Sequence, residues 1–406
     1  MDVKFIILVG DGMGDYPIER LGGRTPLEAA RTPNLDRLVQ IGALGTVQTI
    51  PAGMMPGSDV ANMSLLGYDP AAYHTGRAPL EAASIGVRLE PGDVAFRCNL
   101  VWLNTDGNGE VFMGDYSAGQ ISTEEAHELV SSLQSAVSGA PLKLYPGVSF
   151  RQLLVWEGGR ENVVTVPPHD ILGHSISQYD VLSNEPMLRA FIDKAALLLS
   201  DHPVNRRREK AGKSPANAVW LWGQGKAPSM PRLDRFGLRG AMISAVDLLK
   251  GIGVYAGLDP VKVEGATGYI DTNYEGKVKA AMSALERGNF AFLHLEAPDE
   301  ASHTGILEKK IMAIEYFDDR IVGPVVEGAK KFPKVRVLVA TDHYTPVSMR
   351  THSTDPVPFL LVDDLNSGAS GPGRGSRFCE KDAHRAGWRF DSGEDLFRVF
   401  IGAKRS

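Results

Sequence analysis

Asp299 and His303 stand four residues apart, just past the apolar run 290–295 (FAFLHL) and a break at Pro298. If that segment turns helically, the two side chains share one face. A carboxylate oxygen and an imidazole nitrogen then point the same way, as two ligands of one divalent metal must. The spacing alone is as compatible with chance as with a site, so its meaning depends on what else could complete it. Three other places carry the same chemistry. Asp11 lies between glycines in residues 10–15 (GDGMGD), where Asp15 replaces the last glycine that a dinucleotide fingerprint needs. Asp342 and His343 follow the apolar run 335–340 (VRVLVA), and His352 comes nine residues after His343. A different chemistry is offered by Gly57-Ser58-Asp59, which feeds an apolar helical run. A serine there is an ordinary N-cap or, equally, a nucleophile at a helix N-terminus, where backbone N–H groups favour phosphate. No histidine is near it in sequence, so a metal would have to activate the hydroxyl.

The elements that must position these residues follow from hydrophobic pattern. Residues 5–9, 290–295, 335–340 and 357–362 read as buried strands. Parallel strands of one sheet place their carboxyl ends along a single edge. That edge would gather Asp11, Asp299 with His303, Asp342 with His343, and the His352 loop. Three carboxylates, three imidazoles and a serine exceed the needs of one ion and suit two divalent ions that clamp a phosphoryl group. Helices are expected over 32–44, with Thr32 capping ahead of Pro33, over 274–287, and over 307–330 with a kink at Pro324. From about 76 to 228 the character changes. Short strands over 81–87, 95–103, 152–155 and 163–166 mix with helices over 122–137 and 187–199, the pattern of a compact α+β domain. Within it Arg77, Arg97 and His169 combine turn-rich surroundings with side chains that bind anions, although any single arginine also reads as a solvated surface charge. Residues 206–214 fail the Walker A pattern, because Arg207 stands where its first glycine belongs.

The chain has 406 residues, 43% hydrophobic and 23% charged, an ordinary globular balance. Its net charge is −6, from 43 basic and 49 acidic residues, which points away from nucleic acid and anionic membranes as partners. Two cysteines make no disulfide framework, no apolar run reaches membrane-spanning length, and the chain opens directly into a strand. A cytoplasmic location is therefore expected, and the sequon at Asn62 is discounted. The oligomeric state is left open.

GDGMGD, GSDVANMSLLG, EAPDEASH, TDHYTP and THS together resemble the alkaline phosphatase superfamily in its phosphoglycerate mutase branch. More narrowly, the chain is similar to the cofactor-independent (2,3-bisphosphoglycerate-independent) phosphoglycerate mutases of archaeal type. YDPAAYHTGRAPLEAAS, AFRCNL, PPHDILGH, WLWGQGK and GATGYIDTNYEGK extend the resemblance over the whole chain. It implies an alkaline-phosphatase-like α/β/α core with a mostly parallel sheet, residues 1–75 and 229–406. A smaller α+β domain, residues 76–228, would be inserted to close over the core, exclude water and grip a carboxylate. It implies that Asp299, His303 and His352 hold one metal, and Asp11, Ser58, Asp342 and His343 the other. Mn²⁺ is the expected ion, with Zn²⁺, Co²⁺ or Mg²⁺ as alternatives, and 2,3-bisphosphoglycerate is not required. Ser58 would become phosphorylated, Lys250 would steady the transferring phosphoryl group, and Arg77, Arg97 and His169 would contact a small phosphorylated substrate. The implied reaction converts 3-phosphoglycerate to 2-phosphoglycerate through a phosphoserine. A metal-dependent phosphatase on the same core and a homoserine kinase of the same family are the alternatives. A purely structural metal site would not need a glycine-flanked serine beside it.

Overall fold

The computed structural model describes residues 3–179 and 185–403. The chain divides into two compact units, Met1–His74 with Ser229–Ser406, and Thr75–Pro228.

The first unit is built on an eight-stranded sheet. Its order is Arg389–Phe390, Ala43–Val47, Val357–Val362, Lys334–Ala340, Val3–Gly10, Phe290–Leu295, Gly240–Ile243 and Asp259–Val261. Every pairing is parallel except the two made by Val357–Val362. The central strands are apolar on both faces because helices cover both. On one face Ile6, Leu8, Leu293 and Val337 join a core with Tyr274, Ile314 and Phe317. On the other, Phe5 meets Phe400 and Phe290 meets Phe397 edge to face, contacts of the C-terminal helix Gly393–Ile401. This is a three-layer α/β/α arrangement with a largely parallel sheet, the expected fold class. His352 needs one amendment to the expected geometry. It precedes an antiparallel strand, so it reaches the ligand-bearing edge from that strand's beginning rather than from a carboxyl end.

Two expected elements of this unit differ. The helix expected over 32–44 stops at Val39, and Ala43–Val47 is a strand. Thr32 does not cap the helix with its side chain; buried Asp318 does so from outside, accepting from the N–H groups of Asn34 and Leu35. The helix expected over 307–330 is three pieces, Leu307–Tyr316, a π-helical turn Phe317–Val322, and Gly323–Ala329. Pro324 lacks an N–H, and the ladder widens just before it. No helix of the described residues is long and apolar enough to cross a membrane.

The second unit is an antiparallel sheet. Val94–Thr105 pairs with Val111–Asp115, Arg151–Trp156 and Ala218–Gly225, and Leu142–Tyr145 adds to Arg151–Trp156. Phe96, Cys98, Leu100, Leu154 and Leu221 turn one face towards the helices Thr123–Val137 and Pro186–Ser200. The stretch 81–87 is not a strand. Residues 77–84 (RAPLEAAS) form a helix instead, where Ala, Leu and Glu favour the helical state. Nor do residues 163–166 pair as a strand. Their carbonyls are taken by side chains, Trp220 donating to Val166 at 2.8 Å and Gln224 to Val163.

Candidate active site

Ser58 is the first residue of the helix Ser58–Leu65, and Gly57, not Ser58, occupies the N-cap position. Its hydroxyl is therefore free of capping duty. It donates to Asp11 Oδ2 at 3.2 Å and lies 3.2 Å from His343 Nε2. One turn further on, Asn62 spans Ser58 O and Asp342 Oδ2, both at 2.8 Å, and ties the helix start to the Asp342 loop.

Asp11 leaves the Val3–Gly10 strand at the edge where Asp342 and His343 leave Lys334–Ala340. Gly12 explains why the two loops can meet. Its φ is +61°, and a Cβ there would sit 2.5 Å from Thr345 Oγ1 and 2.7 Å from Asp299 Oδ1. With no side chain in the way, the Gly12 N–H reaches Asp342 Oδ1 at 3.0 Å.

Asp299 and His303 lie on one helix, Ala297–His303, with Oδ2 and Nε2 3.1 Å apart. His352 Nε2 is 3.1 Å from His303 Nε2 and 3.4 Å from Asp299 Oδ1. Each ring is oriented from its other nitrogen, His303 by Arg350 O at 2.9 Å and His343 by Thr345 Oγ1 at 3.2 Å. The structure thus brings together seven side chains singled out from sequence: Asp11, Ser58, Asp299, His303, Asp342, His343 and His352. His343 borders both groups, since its Nε2 is 3.3 Å from Asp11 Oδ1 and its ring stacks 4.2 Å from that of His352.

The electrostatics favour a bound cation. Burial, with Asp342 and Asp299 close by, pushes the Asp11 carboxyl well above its usual range. Burial works against the charge on Asp299 too, but bonds from His303 and His352 outweigh it and hold that carboxyl well down. The Asp299 bond raises His303 to about 9. Asp11 Oδ1, Asn62 Oδ1 and His294 Nε2 are buried with no hydrogen-bond partner among the described residues. Clustered carboxylates and orphaned buried polar atoms are what divalent ions would satisfy, and the available donors are oxygen and imidazole nitrogen.

Comparison with known proteins bears on the chemistry of this edge. The family profile described as 2,3-bisphosphoglycerate-independent phosphoglycerate mutase matches residues 40–205. A protein of that name from Methanothrix thermoacetophila is 50% identical over 408 residues, covering 98% of this chain and 100% of its own. The chain belongs to the 2,3-bisphosphoglycerate-independent phosphoglycerate mutases. Among solved structures, a Pyrococcus horikoshii protein superposes with a TM-score of 0.81 at 31% identity, covering 99% of this chain and 98% of that one. The cofactor-independent phosphoglycerate mutase of Thermoplasma acidophilum gives 0.64 at 27%, covering 98% and 99%.

In this mutase-family chain the second unit carries its own charged cluster. Arg97 stacks its guanidinium 4.2 Å from the Trp222 ring and pairs with Glu81 through two nitrogens, at 3.0 and 2.9 Å. Arg77 flanks Gly223 beside Arg97. His169 stands edge-on to Trp222 and Tyr116 at 5.4 and 6.1 Å. Burial, followed by the charges of Arg77 and Arg97, holds the His169 ring below its usual range, opposed by Asp170. Arg97, Arg77 and His169 therefore form one group. Arg151 acts on Arg97 in the same sense and belongs with them.

Lys250 is placed differently. Its Nζ pairs at 2.6 Å with Asp247, one turn back on the Asp247–Ala256 helix, so its charge is already matched. Sequence reasoning missed Asn62, Thr345, Arg151 and His294. Asn62 was legible, because it stands four residues after Ser58, the same helical spacing as Asp299 and His303. His294 sits in the apolar run 290–295 and reads there as part of a buried strand. Thr345 and Arg151 carried no signal of their own.

Proposed function

We propose that this chain is an isomerase interconverting 3-phosphoglycerate and 2-phosphoglycerate through a phosphoserine at Ser58, without 2,3-bisphosphoglycerate. The observation that carries the reading is the Ser58 hydroxyl, at a helix start and uncommitted to capping, 3.2 Å from both Asp11 and His343. Asp299, His303 and His352 would hold one divalent ion, and Asp11, Ser58, Asp342 and His343 the other. Mn²⁺ is our choice, with Zn²⁺, Co²⁺ or Mg²⁺ as alternatives. When bound, such ions lower the pKa of a hydroxyl and neutralise charge on phosphoryl oxygens.

The chain's own groups do the rest. Ser58 Oγ attacks phosphorus as its P–O bond to the sugar acid breaks; the hydroxyl proton passes to Asp11 Oδ2 or His343 Nε2, both 3.2 Å away, and the departing oxygen takes up a proton to become a glycerate hydroxyl. The start of the Ser58–Leu65 helix, with its positive dipole end, favours the phosphate. The liberated glycerate stays bound, and its other hydroxyl takes the phosphoryl group back. Retention needs a carboxylate grip, which we assign to Arg77, Arg97 and His169. Lys250 would serve the phosphoryl group only by exchanging Asp247 for it. Both cysteines are free and buried, which fits the reducing cytoplasm we propose.

The test follows 2-phosphoglycerate and inorganic phosphate together after adding 3-phosphoglycerate, with no ATP and no bisphosphoglycerate. Isomerisation with little free phosphate is expected, abolished in Ser58→Ala and by chelation. Predominant phosphate release would replace the reading with a phosphatase. An inert protein that phosphorylates homoserine from ATP would replace the substrate. Near wild-type turnover of Ser58→Ala would remove the phosphoserine step.

A further inference from the structure

His294 is the last residue but one of the Phe290–Leu295 strand, lies next to Asp11 and is completely buried. One ring nitrogen is committed. Nδ1 lies 3.1 Å from Glu296 Oε1. Glu296 is surrounded by donors: Ser244 Oγ at 2.7 Å, the Ala245 N–H at 2.9 Å, and Lys277 Nζ at 2.8 Å on the other oxygen. A carboxylate so supplied acts as an acceptor only, so the proton between it and the ring sits on Nδ1. Burial opposes charge on the ring, but Asp11, Asp342 and Glu296 hold a proton on it; a cation bound between Asp11 and Asp342 would displace that proton and leave a lone pair at Nε2. That atom has no hydrogen-bond partner among the described residues. Asp11 Oδ2 is near, at 3.1 Å, and Asp342 Oδ2 at 3.8 Å, but the first lies off the line that a ring N–H would need. Oxygens of Asp11 and Asp342 and a nitrogen of His294 all fall within 4.8 Å of one another. A ring oriented by a carboxylate from behind, with its free nitrogen among carboxylates, is the usual construction of a metal-bound histidine.

We propose that His294 is itself a metal ligand, donating through Nε2 to the ion held by Asp11, Ser58, Asp342 and His343, and that Glu296 with Lys277 is the buried support fixing its tautomer. The inference rests on the two-metal reading above. It makes an otherwise expensive arrangement intelligible: Lys277 is completely buried and serves this corner, reaching Glu296 at 2.8 Å and the His294 carbonyl at 2.9 Å.

The test counts ligating imidazoles in the wild-type protein. Enzyme labelled with ¹⁵N-histidine is stripped by chelation, loaded with ¹¹³Cd²⁺, and examined for one-bond cadmium–nitrogen couplings. Two cadmium signals with four coupled rings are expected, one signal bearing His303 and His352 and the other His343 and His294. Two signals with three coupled rings would overturn the role of His294 while leaving the two-metal reading intact. Failure to bind cadmium would overturn both. Equilibrium dialysis with Mn²⁺ supplies the second measurement. Glu296→Gln should weaken one of two sites by about 10–100-fold, and His294→Ala by at least as much, the other site changing little. Folded variants with both affinities unchanged would refute the assignment.

Discussion

At the scale of single residues, a side chain's neighbours decide its chemistry. Ser58 keeps its hydroxyl for Asp11 and His343 because Gly57 takes the N-cap position. Glu380 makes the same point away from the site. It is buried, accepts from the Asp15 N–H at 3.1 Å and from Thr25 Oγ1 at 2.7 Å, and burial nevertheless pushes its carboxyl up to about 7 from 4.5. The folded protein then holds this proton more tightly than the unfolded chain does. The contribution to stability is fully present below pH 4.5 and is lost as the pH rises to about 7. Glu380→Gln should remove that loss. The difference in unfolding free energy between variant and wild type should grow in the variant's favour by about 3 kcal/mol across this window, read from urea unfolding at a series of pH values. A pH-independent difference would show that Glu380 does not titrate there.

At the scale of elements, the ligand-bearing loops depend on close approach. Gly12 combines a positive φ with contact distances that leave no room for a methyl group, whereas Gly23, also at positive φ (+78°), has nothing within 4 Å of the place a Cβ would take. Gly23→Ala should cost only the backbone term, about 1–2 kcal/mol. Gly12→Ala should add an overpacking cost of about 1–3 kcal/mol and weaken metal binding, since Thr345 and Asp299 must move. Chemical denaturation in chelator and metal titration of both variants check this. Equal costs at the two positions would mean the Asp11 and Asp299 loops have slack that the contacts deny.

At the scale of the whole molecule, two compact units carry two chemistries: a buried cluster of carboxylates, imidazoles and a serine in one, and arginines with aromatics in the other. The assignment of Arg97 to carboxylate retention has a confounding factor, because Arg97 also neutralises Glu81. Arg97→Ala should lower mutase turnover and raise the fraction of substrate released as free phosphate. It should also cost on the order of 3 kcal/mol of stability, by leaving a mostly buried carboxylate unpaired. Adding Glu81→Gln should recover much of that stability without restoring turnover. Recovery of both would assign Arg97 a structural role alone.

Sequence by itself determined the parts whose signals are local. Buried strands announce themselves as unbroken apolar runs, and the helical spacing of Asp299 and His303 needs only a turn of backbone. The motifs around Asp11, Ser58, Asp342 and His352 carry the family resemblance by themselves. Tertiary structure decided what depends on residues distant in the chain. The antiparallel Val357–Val362 strand and the cap that Asp318 lends to a helix 284 positions away both turn on packing partners absent from any local window. His294 and Lys277 belong to the same class. In sequence they are one histidine in an apolar strand and one lysine in an amphipathic helix. Only the fold buries both and gives Glu296 to each, because a charge removed from water must find its partner wherever the chain supplies one.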